Sequence, residues 1–226
     1  MFSVVIPIYN EEDNLPLLIK EIKSSLKDYS NFELIFVNDC STDNSLKILE
    51  DEKKSFDIKI FNNKKNFGQS YSILIGVKYS KHNIIITLDG DGQNNPNDIP
   101  HLLKFYNENN DIFLVGGIRI KRKDSFIKII SSRIANFVRS KFLKDECIDT
   151  GCSLKVFDKN IFLSFEYFDG IHRFLPALFI GFGHKTAFLN VDHRHRKYGK
   201  SKYGTFFRLF NGFKDMMKVK KMIDKN

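Results

Sequence analysis

Short apolar runs alternate with longer amphipathic stretches through the first half of the chain. The runs Phe2–Ile8, Phe32–Val37, Ile58–Asn62, Asn83–Leu88 and Ile112–Gly116 are rich in Ile, Val and Phe and read as strands. Between them, Asp13–Lys27, Asn44–Lys54, Gln69–Tyr79 and Asn97–Tyr106 read as helices, the last with Pro96 near its start. Strands separated by helices imply a mostly parallel sheet covered on both faces, an α/β fold. Ligands of such sheets bind at the carboxyl ends of the strands. The polar signals stand there: Tyr9-Asn10-Glu11 after the first strand, Asn38-Asp39 after the second, and Asp89-Gly90-Asp91 after the fourth.

The second half is patterned differently. In Ser125–Leu143, Phe126, Ile130, Ile134 and Val138 recur every four residues, and Ile127 and Phe137 widen that face among Lys128, Arg133, Arg139 and Lys141. Thr205–Ile223 repeats the theme, with Phe206, Phe207, Phe210, Phe213, Met216 and Met217 among Arg208, Lys214, Lys218, Lys220 and Lys221. A basic amphipathic helix of this kind either lies in a membrane interface or packs its apolar side on the core beneath a solvated basic face. Two such helices in the most basic parts of the chain favour the interfacial reading.

The most informative stretch is Ile84–Gln93, where a buried-strand pattern ends in Asp89 and Asp91 with only Gly90 between them. Two carboxylates at the mouth of a strand repel each other unless a positive charge sits there. A hard divalent cation, Mg²⁺ or Mn²⁺, prefers such oxygen ligands and is often shared with substrate phosphates; Gln93 supplies a third oxygen. Asp-Gly also signals a hairpin turn, but Asn94-Asn95-Pro96-Asn97-Asp98 leads into a helix rather than a second strand. Asn66-Phe67-Gly68-Gln69 either turns the chain at Gly68 or offers the N–H groups of a helix start to an anion.

Composition narrows the class. The chain has 226 residues, enough for a sizeable core, and is read as a single domain, with the polar strand ends in residues 1–118 and the basic stretches in residues 119–226. Cys40, Cys147 and Cys152 form no C-x-x-C pair, which argues for a reducing compartment and against a disulfide scaffold or zinc site. No G-x-G-x-x-G follows the first strand and no P-loop motif occurs, so ordinary dinucleotide and P-loop readings are weak. The opening Met1–Pro7 reads as a strand rather than a signal peptide, and no apolar run approaches the roughly 18 residues of a membrane span. The net charge of +9 is concentrated: Arg119–Lys144 holds nine Lys/Arg against one acid, and Lys185–Asn226 twelve against three. Such clustering implies an anionic partner, whether nucleic acid, phospholipid or a phosphorylated substrate.

Taken in order, the motifs resemble those of family 2 glycosyltransferases of the GT-A fold, a Rossmann-like α/β architecture. The resemblance is to the dolichol-phosphate mannosyltransferase-like branch that glycosylates polyprenyl phosphates. Pro7-Ile8-Tyr9-Asn10-Glu11 is similar to its P-x-Y-N-E, Val37–Asp43 to V-[ND]-D-x-S-x-D, Asn66-Phe67-Gly68 to N-x-G, and Asp89–Gln93 to D-x-D-x-Q. Gly116–Arg119 is similar to its G-x-R, Asp149–Lys155 and His172–Pro176 to acceptor-side segments, and Arg196–Lys202 to R-x-x-G-x-S-K. Many members continue into transmembrane helices, whereas this sequence stops at Asn226, so it is expected to reach lipid from the surface, through a membrane-embedded partner protein, or to use another acceptor.

The resemblance implies inverting transfer from a UDP- or GDP-linked sugar to a polyprenyl phosphate or other membrane-associated acceptor, with a divalent cation as cofactor. It implies a cytoplasmic protein lying peripherally on the anionic inner face of the cell membrane. Pro7, Tyr9, Asn10, Glu11, Val37, Asp39, Gly68, Asp89, Gly90 and Asp91 are its expected nucleotide-sugar residues, and Asp89, Asp91 and Gln93 its metal ligands. Asp89, Asp91, Asp149 and Arg119 are the expected catalytic residues; Arg119, Arg196, Ser201 and Lys202 are expected to clamp phosphate or acceptor. A phosphate acceptor attacks without a general base, being mostly ionised at neutral pH; a hydroxyl acceptor needs one, for which Asp149 is the candidate, a structural carboxylate being the other reading of it. His193 and His195 suit phosphate or structural hydrogen bonding better than zinc, because no further ligand stands at zinc spacing. A nucleic-acid-binding module shows no recognised motif, so no nucleic-acid partner is expected. An inactive scaffold explains the basic helices but not Asp89 and Asp91.

Overall fold

The computed structural model describes residues 1–120, 137–195 and 205–225, with side chains in the last stretch described from residue 212. Strands β1 (Phe2–Ile8), β2 (Phe32–Asn38), β3 (Ile58–Asn62) and β4 (Ile84–Thr87) alternate with helices α1 (Leu15–Ser25), α2 (Ser45–Lys53) and α3 (Gln69–Lys78). A 3₁₀ turn at Pro96–Asp98 opens α4 (Ile99–Glu108), and β5 (Ile112–Arg119) follows. Then come β6 (Lys155–Asp158), α5 (Lys159–Ser164), a second 3₁₀ turn (Ile171–Arg173), α6 (Leu175–Gly181), β7 (Lys185–Val191) and α7 (Thr205–Lys225).

All seven strands join one sheet in the order β3-β2-β1-β4-β6-β5-β7. β1 pairs in parallel with both β2 and β4, and β2 with β3. β6 runs antiparallel between β4 and β5, and β7 is parallel to β5. The GT-A expectation of a mostly parallel sheet therefore holds, with one reversed strand that periodicity did not announce.

Side-chain alternation along the central strand explains the two layers of core. Val4, Ile6 and Ile8 point to one face, where they meet Leu15, Leu18 and Ile22 of α1 and Ile99 and Leu102 of α4. Val5 points to the other, with Ile73 and Val77 of α3. A strand buried on both faces reads as a continuous apolar run, which is why β1 and β2 were legible. The second layer is where many phenylalanines reside: Phe157, Phe162, Phe165 and Phe179 pack there edge-on or tilted.

Helix α7 packs one side on the core, as the core-packing reading of its sequence expects. Met216 and Val219 are buried in the second core layer, and Asp215 pairs with Arg173 at 2.9 Å. Phe213, at 63 % exposure, and Met217 stay on the outer side with Lys214 and Lys218. Most of the other basic stretch lies outside the described residues. In its helical end at residues 137–143, Leu143 is buried, while Phe137, at 64 %, and Val138 are exposed.

Candidate active site

The carboxyl ends of β1, β2 and β4 converge on Asp89 and Asp91. Gly90 allows this loop to lie on β1: a Cβ there would fall 2.4 Å from Ile8 Cδ1 and 3.1 Å from the Pro7 carbonyl oxygen. Asn94 Oδ1 accepts from the Asp89 N–H at 3.3 Å and from the Ser153 hydroxyl at 2.7 Å. Asp91 is buried, and its Oδ1 accepts from the Gln93 N–H at 3.0 Å. Asp89 Oδ1 accepts from Gln69 Nε2 at 2.6 Å, joining the D-x-D loop to the start of α3. Burial and then the charge of Asp91 push the Asp89 carboxyl up to about 6, against the opposing pull of Lys155 and Arg119.

That electrostatic frustration is the test of fit for a cation. A carboxyl whose proton affinity is raised by a neighbouring carboxylate is relieved by a divalent ion at the same place. Among the described residues no cluster of three His, Cys, Asp or Glu stands ready to enclose one. An ion held here would need further ligands, for which Gln93, water and substrate phosphate would serve. Gln93 is fixed through Nε2, which donates to the Arg194 carbonyl at 3.3 Å, so its amide oxygen is the atom that would face an ion.

The raised Asp89 value has a measurable consequence. A carboxyl that binds protons more tightly folded than unfolded loses its favourable contribution as pH rises from the ordinary 3.8 to about 6. The metal-free protein is expected to lose on the order of 1–3 kcal/mol across that window from this group. Asp89→Asn should flatten that part of the profile, and Mn²⁺ should restore stability to the unsubstituted protein above pH 6. Melting curves from pH 4 to 7 check both; identical profiles for the two proteins would remove the frustrated pair from the account.

The loops after β1 and β2 are zipped together beside this pair. Asn10, at φ 51°, donates its backbone N–H to Ser41 Oγ at 3.0 Å and accepts from the Thr42 N–H at 2.8 Å. The Glu11 N–H donates to Ser45 Oγ at 2.8 Å, and Asn14 Nδ2 donates to Glu11 Oε2 at 2.8 Å. Tyr9 and Pro7 are half-buried at this rim. Val37 is fully buried in the core, so only its main chain can meet a ligand. Asp39 is buried and accepts from Asn63 Nδ2 at 2.7 Å, the Phe67 N–H at 3.0 Å and the Gly68 N–H at 2.7 Å. Its visible work is to hold the loop before α3, where Gly68 takes φ +91°.

On the other flank Arg119 and Asp149 meet as a fork. Nε donates to Oδ2 at 2.8 Å and Nη2 to Oδ1 at 2.7 Å, and the Arg119 backbone N–H adds a third bond at 3.1 Å. The two expected catalytic residues are thus one bidentate unit. Arg196, Ser201 and Lys202 lie outside the described residues. The segment leading to them lies at the D-x-D loop: the Arg194 N–H donates to the Gln93 carbonyl at 2.9 Å, and His193 bridges to Asn94. Arg194 itself pairs with Glu21 at 2.6 Å.

Several site residues were not singled out from sequence. Gln69, Asn94 and Ser153 fix the aspartates, and buried Lys155 donates Nζ to the Cys152 carbonyl. Ser70 Oγ stands 2.6 Å from His172 Nδ1 and accepts from the Gly170 N–H at 2.8 Å. Burial, then Arg173 and Lys155, hold the His172 imidazole down at about 3, so it is neutral at physiological pH. Gln69, Asn94, Ser153, Lys155 and His172 stood inside quoted segments without a role of their own, and Ser70 only beside one.

Comparison with known proteins agrees with this geometry. The model of the family described as glycosyl transferase family 2 matches residues 3–164. An undecaprenyl-phosphate 4-deoxy-4-formamido-L-arabinose transferase of Proteus mirabilis is 37% identical over 219 residues, 95% of this chain and 66% of that protein. The protein of the same name from Photorhabdus laumondii is 36% identical over the same shares. The chain therefore spans just under two thirds of the length of these relatives. Glucosyl-3-phosphoglycerate synthase of Mycobacterium tuberculosis, crystallised with Mn²⁺, UDP and phosphoglyceric acid, superposes with a TM-score of 0.70 at 17% identity, covering 97% of this chain and 76% of that one. A structure of the same enzyme with Mg²⁺ and UDP gives a TM-score of 0.71 at 16% identity, with shares of 97% and 77%. The structural likeness shows a shared fold, and with the family model and these relatives the ordered motifs and the paired aspartates lead to one statement: the chain belongs to glycosyl transferase family 2.

Proposed function

We propose that the chain transfers a sugar, with inversion, from a nucleoside diphosphate sugar to a polyprenyl phosphate at a membrane surface. The observation that carries this reading is the frustrated Asp89–Asp91 pair at the carboxyl end of β4, reached by Gln69 from one side and by the segment before Arg196 from the other. The names of the relatives support the acceptor class, and the Mn²⁺, Mg²⁺ and UDP in the solved structures support the donor class. Asp89, Asp91 and Gln93 would hold the cation, which when bound neutralises the charge that grows on the departing diphosphate. The chain's own residues orient the reactants: Gln69 and Asn94 fix Asp89, and Asp39 fixes the loop beside the nucleotide.

The fork between Arg119 and Asp149 favours a phosphate acceptor over a hydroxyl. A carboxylate with both oxygens held by a guanidinium is a poor proton acceptor. A phosphate needs none, and the remaining barrier is the approach of two anions, which cation and positioning address. The test is transfer of labelled sugar from UDP- and GDP-linked donors to undecaprenyl phosphate with Mn²⁺, beside a thermal-shift screen of the same donors. Failure of every donor to raise the melting temperature in Mn²⁺ would overturn the reading.

Peripheral membrane attachment belongs to the same proposal. No described helix is long and apolar enough to cross a membrane. The outer face of α7 presents Phe213 and Met217 beside Lys214, Lys218 and Lys221, a composition suited to an anionic interface. Each basic residue near such a leaflet contributes about 1 kcal/mol. The double change Phe213→Ser and Met217→Ser should reduce cosedimentation with anionic liposomes while leaving the melting temperature in place, because both side chains are exposed. Binding should also weaken with salt. Unchanged sedimentation of the double variant would take α7 out of the interface.

A further inference from the structure

The loop held by Asp39 carries an aromatic ring to the surface. Phe67 is 39 % exposed and lies tilted against Tyr71, ring centroids 4.5 Å apart. Tyr71 meets Tyr167 edge-on at 6.2 Å, and Tyr167, from the connection after α5, is 38 % exposed. Rings from two distant parts of the sequence thus form one open shelf. A single exposed apolar side chain means little, but a contiguous aromatic surface at the ligand-binding edge of an α/β sheet points to a ligand.

Its position relative to the aspartates narrows the ligand. Gln69, which donates to Asp89, follows Phe67 by two residues, a span of at most about 7 Å along the chain. A nucleotide whose diphosphate sits at Asp89 and Asp91 must extend its base along the strand ends to one side. On the β6 side lie the Arg119–Asp149 fork and Lys155, a charged wall. On the β2 side lies the shelf, directly over the loop that Asp39 holds. The Tyr167 hydroxyl feels Asp39 as well: burial, then Asp169, Tyr71 and Asp39, push it up to about 12.

We propose that Phe67, Tyr71 and Tyr167 form the stacking platform for the donor's nucleobase, with Phe67 and Tyr167 as the contacting rings. The inference rests on the nucleotide-sugar reading above and adds the residues that hold the base. Charged groups rim the shelf: Lys65 lies 4.9 Å over Phe67, and Asp169 stands 3.7 Å from where a Cβ on Gly68 would be. A polar-edged heterocycle suits that rim and a prenyl chain does not. The Lys65 contact is a surface cation–π pair, weak enough for a stacked base to displace. Stacking is tolerant of base identity, so the shelf strengthens UDP and GDP alike, and discrimination between them comes from hydrogen bonds elsewhere.

The experiment measures binding of UDP, GDP and base-free pyrophosphate in Mn²⁺ to the full chain and to Phe67→Ala, Phe67→Trp and Tyr167→Leu. Phe67→Ala should weaken both nucleoside diphosphates by roughly 5- to 150-fold and leave pyrophosphate unchanged, while Phe67→Trp retains nucleotide affinity. Tyr167→Leu should weaken nucleotides in the same selective way. Unchanged nucleotide affinity overturns the platform, as does a parallel loss of pyrophosphate, which would mean a displaced loop. Loss of transfer to polyprenyl phosphate with nucleotide affinity intact would give the rings to the acceptor and also overturn it. If the unsubstituted chain binds pyrophosphate but neither nucleotide, the platform fails; if it binds none of the three, the nucleotide-sugar reading fails with it.

Discussion

Replacing Asp91 with alanine should lower divalent-dependent turnover of the nucleotide sugar by on the order of 10²–10³-fold, the usual loss when a group that stabilises developing charge is removed. Asp91 is buried at the carboxyl end of β4 and its charge is one of the two causes, after burial, of the raised Asp89 value. Removing it lowers that repulsion, so the metal-free variant should melt no lower than the parent. Asp89→Ala should behave alike in turnover, although it also releases Gln69. Gln93→Ala should cost less, since it removes one neutral ligand and one bond to the Arg194 carbonyl. Donor turnover in Mn²⁺ with parallel melting curves measures all three. Full activity in both aspartate variants would end the metal-diphosphate account of the site.

What sequence could reveal depended on how each element is buried. β1 and β2 are covered on both faces, so they appear as unbroken apolar runs, and their predicted bounds lie within a residue of the observed ones. β6 has only four residues and its pairing is antiparallel to both neighbours, a property of topology that no local pattern carries. β7 lies at the sheet edge with mostly half-exposed residues and gives little signal. The aspartates were legible because two acids after an apolar run are unusual. Gln69, Asn94 and Ser153 were not, because amides and hydroxyls are common in loops and their role arises only when segments as distant as 94 and 153 meet. Asp39 was expected at the nucleotide; its three N–H partners on the loop before α3 could not be read from its motif.

Arg119 and Asp149 carry the other large expected effect, on stability. Their side chains are 15% and 6% exposed and joined by two parallel bonds, so each is the other's counter-charge in a low-dielectric place. Removing one partner of a buried, hydrogen-bonded ion pair costs about 3–5 kcal/mol. Asp149→Asn should therefore lose stability of that order, and it also weakens the bond to the Arg119 backbone N–H. Arg119→Lys should lose part of it, because a point charge cannot make the fork. The paired change Arg119→Met with Asp149→Leu should recover much of the loss, since no orphan charge remains. The general-base reading of Asp149 makes the opposite forecast: Asp149→Asn would keep its unfolding midpoint while kcat fell and the acidic limb of the pH–rate profile disappeared. Urea unfolding of the three variants beside that profile separates the two roles. Stability retained in Asp149→Asn together with a lost acidic limb would return the residue to catalysis and reopen the hydroxyl acceptor. Stability lost and then recovered in the double variant would leave the acceptor's own charge as the nucleophile's source of activation.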